Sequence, residues 1–446
     1  MQLPKESHQP TRPNPNKDTP YPKSPGVWKN AWGRMKKNRL AMLAYRTVVF
    51  LALVAILADF IAYNKPIYCK YKETTYLPIF ADYLVAIGLY KWDRDLINAD
   101  WKELKLESTF WPPIRYSPND LDYDNQRLTS PLGDQNVSHW KFWHFLGTDR
   151  DGRDVLSGLI HGTRISLTIG LVAMGIATII GIFIGAMAGY FGDNRWQLSQ
   201  IAMIFVPIGL VLGYFYAFQV RSYTLSDALT SSLGLFMREL LLSLGIFIGI
   251  PILFRYLAKP LERIPILGRK RYVWVDIITS RLMEILNSIP SLLMIITIMA
   301  IMDKQSIYTI MIIMGLLGWT GVARYMRGEI LRTRNAEYIQ AARSLGYSEW
   351  RVLFRHALPN SLSPVLVVIA FGIAGAIITE ASLSFLGIGV PEDIITWGKI
   401  LKASRSDISA WWLSIFPAFA IFITVTSMNL LGEGLQDALN PKVREE

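Results

Sequence analysis

Eight stretches of about 20 mostly apolar residues, each long enough to cross a bilayer, constrain this chain more than any other feature. They lie near residues 40–63, 165–190, 198–218, 236–257, 277–302, 306–326, 361–386 and 410–431. Because a lone segment in lipid must satisfy its own backbone hydrogen bonds, each stretch is predicted to be a helix. The sequence therefore predicts an all-α polytopic membrane protein of about eight spans, and six or seven spans remain compatible with it.

The basic residues are concentrated beside these stretches, in segments 29–39, 255–271 and 327–355. Cytoplasmic loops of membrane proteins carry an excess of Lys and Arg. With eight spans and a cytoplasmic N-terminus, all three segments fall on the cytoplasmic side. The net charge of +11 is therefore interpreted as a membrane-orienting pattern. No zinc-finger spacing or RNA-binding aromatic motif favours nucleic acid as a partner.

The N-terminal 39 residues combine a polar, Pro-rich lead with a short amphipathic segment, and together they are predicted to be cytoplasmic. The lead is predicted to be disordered, and it lacks the pattern of a cleavable signal peptide. Trp28, Trp32 and Met35 then recur at helical spacing among basic residues, which is typical of a helix lying in the headgroup region. The single cysteine, Cys69, excludes an internal disulfide framework and a Cys-based metal site.

Residues 64–164 are rich in Tyr, Trp, Asp and Pro and are predicted to be external. The segment is too long for a plain connector, so a small folded lobe is expected. Near its end, Asp149, Asp151 and Asp154 alternate as calcium ligands do, but no glutamate stands at the twelfth position. Two arginines lie among them, so structural ion pairing is predicted in place of a metal site. A contact with a substrate-delivering protein is the alternative.

The rest of the chain divides at changes in apolar character. The predicted units are a first span at 40–63, a core span at 165–192, an inserted two-span block with a basic cytoplasmic loop at 193–275, core spans with an internal polar loop at 276–432, and a cytoplasmic tail at 433–446.

The internal polar loop, residues 335–360, reads as two short helices separated by a break. Asn335 is predicted to cap the first helix and Glu337 to lie in its first turn. Tyr338, either Ala341 or Ala342, and Leu345 are predicted to share one face.

Residues near the ends of the two helices predict where each helix begins and ends. Gly346 suits the left-handed position that ends a helix, and Ser348 is predicted to cap the second helix. Pro359 disfavours helical backbone at Leu358 and is predicted to close that helix. Two short helices between membrane spans form a shape that a partner protein can bind.

This loop resembles the EAA loop of binding-protein-dependent ABC importers. Gln340-Ala341-Ala342, Gly346 and Leu358-Pro359 keep the spacing of the family pattern, although Gln340 replaces its acidic residue. Because Gln340 is uncharged, the charge pair that the family glutamate would make is not expected here. The docking shape is unaffected. The resemblance implies a coupling helix that docks in a groove of the ATPase subunit; an amphipathic helix lying on the bilayer is the alternative. The implied coupling residues are Glu337, Tyr338, Gln340, Ala341, Ala342, Gly346, Leu358 and Pro359.

Further matches extend the resemblance over about 28–63, 145–192 and 276–441. They include Leu-Gly-Thr-Asp at 146–149, Thr-Glu-Ala-Ser-Leu-Ser-Phe-Leu-Gly at 379–387, and Asn-Leu-Leu-Gly-Glu-Gly at 429–434. Together they are similar to the second permease type of dipeptide, oligopeptide and nickel ABC importers. The inserted block 193–275 departs from that pattern. It is expected to pack outside the bundle, to bind lipid, or to bind another subunit, and the sequence does not choose among these.

The resemblance implies a type I importer bundle in a bacterial inner membrane, with its N-terminus in the cytoplasm. The implied partners are a homologous permease subunit, two P-loop ATPase subunits, an external substrate-binding protein and membrane lipid. No Gly-x-x-x-x-Gly-Lys-Ser/Thr motif is present, so ATP is expected on partner subunits, with no cofactor on this chain. Peptides are the expected substrates, with nickel or another small solute second. A membrane-embedded enzyme and an ion-coupled secondary transporter are the alternatives.

Four residues are candidates for the transport pathway or its gating. Pro290 lies within an apolar stretch and is predicted to kink it. Gly372 and Gly375 are spaced to allow close helix approach. Glu380 lies in a span, where a charge at the bilayer centre costs about 2.5–3.5 kcal/mol, so it is expected to face protein or water. It is predicted to be a snorkelling structural carboxylate or, alternatively, a pathway residue.

Overall fold

The computed structural model describes residues 27–97, 99–104, 106–126, 128–137, 139–193, 196–231, 233–302 and 306–439. The Pro-rich lead, Lys304 and the end of the predicted C-terminal tail lie outside the described residues. The helices are α1 (Val27–Lys37), α2 (Arg39–Ile56), α3 (Ala58–Ile61), α4 (Pro78–Ala86), α5 (Arg94–Ile97), α6 (Val155–Phe191), α7 (Gln200–Tyr214), α8 (Ser222–Ser231), α9 (Leu233–Leu261), α10 (Val275–Ser288), α11 (Ser291–Ile301), α12 (Ile307–Thr333), α13 (Glu337–Ser344), α14 (Glu349–Val352), α15 (Leu358–Ser361), α16 (Ser363–Leu386), α17 (Trp397–Ala403) and α18 (Trp412–Leu439). The strands are β1 (Tyr68–Tyr71), β2 (Thr74–Tyr76), β3 (Ser108–Phe110), β4 (Gln197–Ser199) and β5 (Lys270–Tyr272).

Within the described residues, 7 helices are long and apolar enough to cross a membrane, namely α2, α6, α7 together with the π-helical turn Phe215–Gln219, α9, α12, α16 and α18. The pair α10 and α11 meets the same criterion together, which brings the number to 8 if the pair is one span. The predicted all-α polytopic fold is confirmed. The break in this pair lies at Pro290 and bends the chain by 80°, so the proline interrupts the helix instead of kinking it. Proline disfavours helical backbone at the residue before it, and Ile289 is indeed extended.

The core of the bundle is built on α6 and α12, which run side by side in the same direction. Glycines on α6 bring the two backbones together: a Cβ on Gly185 would lie 2.5 Å from the Ala323 carbonyl oxygen. Gly181 and Gly189 approach α12 in the same way, opposite Trp319 and Arg327. Helices α16 and α18 pack against this pair and complete the core.

The described residues between Ala62 and Asp154 form a lobe at one end of the bundle, the lobe end. Strands β2, β1 and β3 form an antiparallel sheet in that order, and Cys69 of the central strand is buried. The His161 ring and the Trp412 indole, both on spanning helices, bond lobe carbonyl groups of Ala62 and Thr148 at 2.8 and 3.0 Å. The lobe is therefore attached to at least two spanning helices.

A buried imidazole joins the lobe to the start of α6. His144 has no exposed surface, and its Nδ1 lies 2.8 Å from Asp154 while its Nε2 lies 3.0 Å from Asp122. Asp154 also accepts a hydrogen bond from the Ser157 amide at 2.6 Å and so caps α6. Burial works to lower the pKa of His144, but the two carboxylates outweigh burial and raise it above its ordinary value.

The inserted block folds as a helical hairpin of α7 and α9, joined by a π-helical turn at Phe215–Gln219 and by α8. The two long helices pack closely, since a Cβ on Gly209 would lie 2.9 Å from Phe254 and Pro251. Strands β4 and β5 pair at the base of the hairpin, next to the end of α6. The outward side chains of both helices are apolar and exposed, as expected of a surface that faces lipid.

The His144 contact predicts a pH dependence in the lobe. Because the folded-state pKa of His144 is raised, its stabilising contribution is fully present below the ordinary imidazole pKa of about 6.5 and is lost as pH rises through the folded value. Hydrogen exchange of the Thr148 and Val155 amides should therefore lose protection as pH rises in the wild type and much less in His144→Gln.

Comparing the two chains at each pH cancels the pH dependence of chemical exchange. His139→Gln, which alters an exposed histidine of the same lobe, is the control and should behave as wild type. An equal loss of protection in wild type and His144→Gln over the whole pH range would contradict the assignment.

Candidate functional site

The polar loop between α12 and α16 forms a compact surface at the end of the bundle opposite the lobe, the loop end. Its two short helices, α13 and α14, are separated by a break at Gly346 as predicted. Asn335, however, does not cap α13. Ala336 occupies the capping position, and the Asn335 carbonyl instead accepts a hydrogen bond from Gln340 Nε2 at 3.1 Å. The prediction for Asn335 was wrong because the turn after α12 extends one residue further than expected.

Helix α13 has one face in the core and one face outside it. Ile339 and Ala342 are buried against the core, whereas Tyr338 is 45% exposed and Leu345 is 73% exposed. Of the two alanines that the sequence offered for the face of Tyr338 and Leu345, Ala341 lies with them on the outside and Ala342 lies on the inner face. Glu337 opens the helix in its first turn, as predicted.

Gly346 ends α13 in the left-handed conformation, with φ of +78°. Its amide donates to the Arg343 carbonyl at 2.9 Å, and the next amide, of Tyr347, donates to the Ala342 carbonyl at 3.3 Å. This pair of bonds is the Schellman motif, in which left-handed backbone favours glycine. Among the described residues, a Cβ at this position would meet no atom within 4 Å, so conformation and not space selects glycine here.

Pro359 does not close the second helix, contrary to the prediction. Leu358 is helical, with φ of −57° and ψ of −50°, and the chain stays helical from α14 to α15 through a π-helical turn at Leu353–Ala357. In that turn the Leu358 amide donates to the Leu353 carbonyl. Pro359 then lies in the first turn of α15, directly after the wider π-helical turn.

The loop is fastened to the end of α6. The Tyr190 hydroxyl donates to the Glu349 carboxylate, and the Arg343 guanidinium lies 3.4 Å from that carboxylate and 5.3 Å from the Tyr190 ring centre. Arg334 Nη1 donates to the Gly189 carbonyl at 3.0 Å. These contacts make α13, α14 and the ends of α6 and α12 one connected unit.

The outward face of the loop carries large apolar and aromatic side chains among its polar ones. Its exposed members are Tyr338, Leu345, Tyr347, Trp350 and Phe354. Single exposed apolar side chains are common on protein surfaces, but five large ones on one loop make it a candidate binding surface. Trp350 and Phe354 stack at 5.8 Å, which pre-orders part of the patch. We call these five residues the loop patch.

A cleft runs between α12 and α16 from the middle of the bundle toward the loop end. Its central part, about 360 Å³, is lined mainly by apolar side chains of α6, α11, α12 and α16, and Gly372 lies in its wall. A wider part, about 530 Å³, continues past Tyr325 and Arg332. Val368 and Phe371 line both parts.

The two candidate glycines of α16 differ in what they face. A Cβ on Gly372 would collide with the Met174 side chain of α6, so close approach occurs there as predicted. Gly375 is exposed, and a Cβ added there would meet no atom of the described residues within 4 Å, so the predicted close approach does not occur there within that part of the chain. The sequence prediction did not include the side of α12 that faces α16 across the cleft. Gly321 and Gly328 are likewise open there, and their spacing along one helical face was the available signal.

Glu380 is neither snorkelling nor on the cleft. It is fully buried, and its carboxylate accepts hydrogen bonds from Ser384 Oγ at 2.7 Å and Ser166 Oγ at 3.2 Å. The expectation that Glu380 faces protein is therefore confirmed, whereas the expectations of snorkelling and of a place on the pathway were wrong. The two serines supply partners inside the protein, so the carboxylate needs no route to water.

Two family models match the chain. The description "Binding-protein-dependent transport system inner membrane component" applies to residues 265–445, which include the loop. The description "N-terminal TM domain of oligopeptide transport permease C" applies to residues 26–78. The two matched stretches leave residues 79–264 between them, which hold most of the lobe, α6 and most of the inserted hairpin.

The relatives that the chain matches include permease proteins of transport systems. The chain is 30% identical to the glutathione transport system permease protein GsiD of Pectobacterium atrosepticum, over 68% of this chain and 73% of that protein. It is 27% identical to the oligopeptide transport system permease protein OppC of Bacillus subtilis, over 95% and 92%. It is 24% identical to the inner membrane ABC transporter permease protein YejE of Escherichia coli, over 92% and 96%.

Substitution of Glu380 tests the contribution of its buried hydrogen bonds to stability. Glu380→Ala should lower the unfolding free energy by about 2–4 kcal/mol, because it opens a cavity and removes the partners of Ser166 and Ser384. Glu380→Gln keeps shape and acceptor and should lose less than half of that. Thermal denaturation of the purified chain in mild detergent measures both.

The control is Glu284→Gln, which changes an exposed carboxylate paired with Arg281 at 2.7 Å. Surface pairs contribute little, so it should cost less than about 1 kcal/mol. An alanine variant of Glu380 as stable as wild type would contradict the structural role.

Proposed function

The chain belongs to the family of binding-protein-dependent transport system inner membrane components, and we propose that it forms one half of the membrane pathway of an ATP-driven peptide importer. It is a transmembrane permease of the peptide ABC importer type. The observation that carries the proposal is the loop patch, an exposed aromatic surface fastened to spanning helices at the loop end.

In this proposal the loop patch docks in a groove of a P-loop ATPase subunit. Gln340, which stands where the family has an acidic residue, donates its side-chain amide to the Asn335 carbonyl within the loop. Docking would therefore depend on apolar contact with the exposed Tyr338 and Leu345 and not on a charge pair at Gln340. ATP binding and hydrolysis belong to the partner subunits, two per importer.

Movement of the ATPase subunits would be transmitted through the loop as a rigid body. Ile339 and Ala342 pack in the core, and the Tyr190–Glu349 and Arg334–Gly189 bonds join the loop to α6. A displacement of α13 would then move the ends of α6, α12 and α16 together. Rigid-body rotation of this kind supports alternating access to a pathway.

The pathway is proposed to follow the cleft between α12 and α16, and a homologous permease subunit would cover its open side. Gly321, Gly328 and Gly375 offer backbone surface there for close approach. Pro290, at the α10–α11 break, places Ser291 in the cleft wall and is a gating candidate. The buried Glu380 is not part of this proposal. Peptides are the proposed substrates, because the relatives carry names of peptide permeases.

The lobe end is proposed to meet an external substrate-binding protein, with the N-terminus on the cytoplasmic side. A pocket of about 230 Å³ there lies between the 149–158 segment and α17, and its wall mixes acidic and basic side chains. Charged surfaces of both signs favour orientation of a transient partner. Within this surface, Arg153 bridges Asp149 and Asp151 at 3.6 and 3.1 Å.

Gly346→Asp tests the docking proposal. Aspartate tolerates left-handed backbone and the position is open, so the chain should fold and insert normally while a carboxylate disrupts the patch. ATPase subunit recovered with the tagged chain should fall at least about ten-fold, as expected for a buried unpaired charge.

Gly88→Asp is the matched control, because Gly88 has nearly the same φ, +76°, and is equally open, but lies in the lobe. It should retain the ATPase subunit fully. Equal recovery of the ATPase subunit by wild type and Gly346→Asp would overturn the docking proposal.

Gly375→Leu tests the cleft separately. A leucine would project from the open side of α16, so peptide uptake should fall several-fold while the ATPase subunit is retained. Gly175→Leu is the control, since Gly175 is an equally open glycine on α6. Uptake by Gly375→Leu equal to that of the control would place the pathway elsewhere.

A further inference from the structure

The base of the inserted hairpin contains a cleft that the transport function does not use. It measures about 490 Å³ and is lined by Gln200, Met203, Lys270, Arg271, Tyr272 and Trp274. We call these six residues the ribbon cleft, because β4 and β5 pair beside it. It lies at the loop end, where α7 begins and α9 ends.

One side of the ribbon cleft is cationic and lacks nearby acidic partners. The segment 255–271 holds six basic residues and one acidic residue, Glu262. Glu262 is already bonded to Arg255 at 2.7 Å and to Ser199 at 2.6 Å. Among the described residues, no carboxylate lies within ion-pair distance of Lys270, Arg269 or Arg263.

The side chain of Gln200 holds Arg271 in place through a neutral hydrogen bond. In the amide orientation that satisfies both ends of Gln200, the Gln200 oxygen accepts from Arg271 Nε at 2.8 Å, and its nitrogen donates to the Ile266 carbonyl at 2.8 Å. Gln200 is a neutral partner, so this contact supplies no counter-charge to Arg271. Lys270 and Arg271 both line the cleft, and ammonium and guanidinium groups are strong hydrogen-bond donors to phosphate oxygens.

The other side of the ribbon cleft is apolar and aromatic. Tyr272 and Trp274 are both about half exposed, and Met203 continues the wall onto α7. From there Ile204, Ile208 and Val211 form an exposed stripe along α7 at helical spacing. Aromatic residues concentrate at membrane–water interfaces, with the apolar stripe beyond them in the acyl region.

We infer that the ribbon cleft binds an anionic phospholipid, with its phosphate at Lys270 and Arg271 and its acyl chains along the α7 stripe. Basic pockets at the cytoplasmic ends of spanning helices bind acidic headgroups in this manner. An inorganic phosphate would use the cations but not the aromatic wall or the stripe. The inference depends on the membrane location of the family and not on coupling to an ATPase.

The site is adjacent to the loop that the function uses. The Val273 amide, next to β5, donates to the Trp196 carbonyl at 2.7 Å. The Trp196 ring stacks on Phe191 at 5.4 Å and lies 6.3 Å from the Trp350 ring of α14. A bound lipid therefore holds the base of the hairpin against the unit that carries the loop patch.

Native mass spectrometry of the full chain in mild detergent tests the inference. The probes are phosphatidylglycerol, phosphatidylcholine with the same acyl chains, and inorganic phosphate. Phosphatidylglycerol should be retained in preference to phosphatidylcholine, and excess phosphate should not displace it. Lys270→Gln should weaken phosphatidylglycerol binding about five-fold, and the double variant with Arg271→Gln about thirty-fold.

The matched control removes two charges from the same membrane face outside the cleft, through Lys37→Gln and Arg39→Gln, both exposed positions. It should keep phosphatidylglycerol binding within about two-fold of wild type. Substitution of Arg271 also removes its contact with Gln200, whereas the single Lys270→Gln variant leaves that contact intact. Equal losses in the control and the double variant, equal retention of both lipids, or displacement by phosphate would each overturn the inference. Recovery of an ATPase subunit is scored separately, so failure here does not bear on coupling.

Discussion

The close contact between α6 and α12 is the constraint on which the other parts depend. In lipid there is no hydrophobic driving force between helices, so association depends on packing and on how closely backbones can approach. Gly181, Gly185 and Gly189 allow that approach along about two turns of α6. Because the two helices run in the same direction, their ends meet at the loop end. The Gly189 carbonyl thus accepts from Arg334 just beyond α12, and Tyr190 reaches Glu349.

This arrangement gives the short polar loop an ordered attachment to the membrane bundle. Helices as short as α13 and α14 are not stable alone, and their order comes from tertiary contacts. Ile339 and Ala342 supply burial, and the Schellman bonds at Gly346 set the angle between the two helices. Tyr338 and Leu345 on the outer face of α13 remain exposed. Without those inner contacts the loop would have no fixed position relative to the spanning helices.

The lobe and the inserted hairpin attach to this frame at opposite ends. The lobe is joined through His144 and Asp154, so the N-cap of α6 and the lobe core share one buried hydrogen-bond network. Such networks are strong when every member is satisfied and costly when one is lost. The hairpin, in contrast, packs mainly on itself and meets the frame at its base, through β4, β5 and Trp196. It adds lipid-facing surface near the loop patch without altering the path of the core helices.

The sequence by itself determined the all-α polytopic class, the positions of the spans, the break at Gly346 and the Ser348 cap. These follow from local rules: apolar length, the glycine preference of left-handed backbone, and side-chain capping. The family pattern of the loop was equally readable. Only the tertiary structure decided which alanine faces outward, why Pro359 stays helical and how Glu380 is satisfied. The register of α13 on the core, the π-turn before Leu358 and the serines from two different helices depend on contacts between distant segments. Spacing along one chain does not encode those contacts.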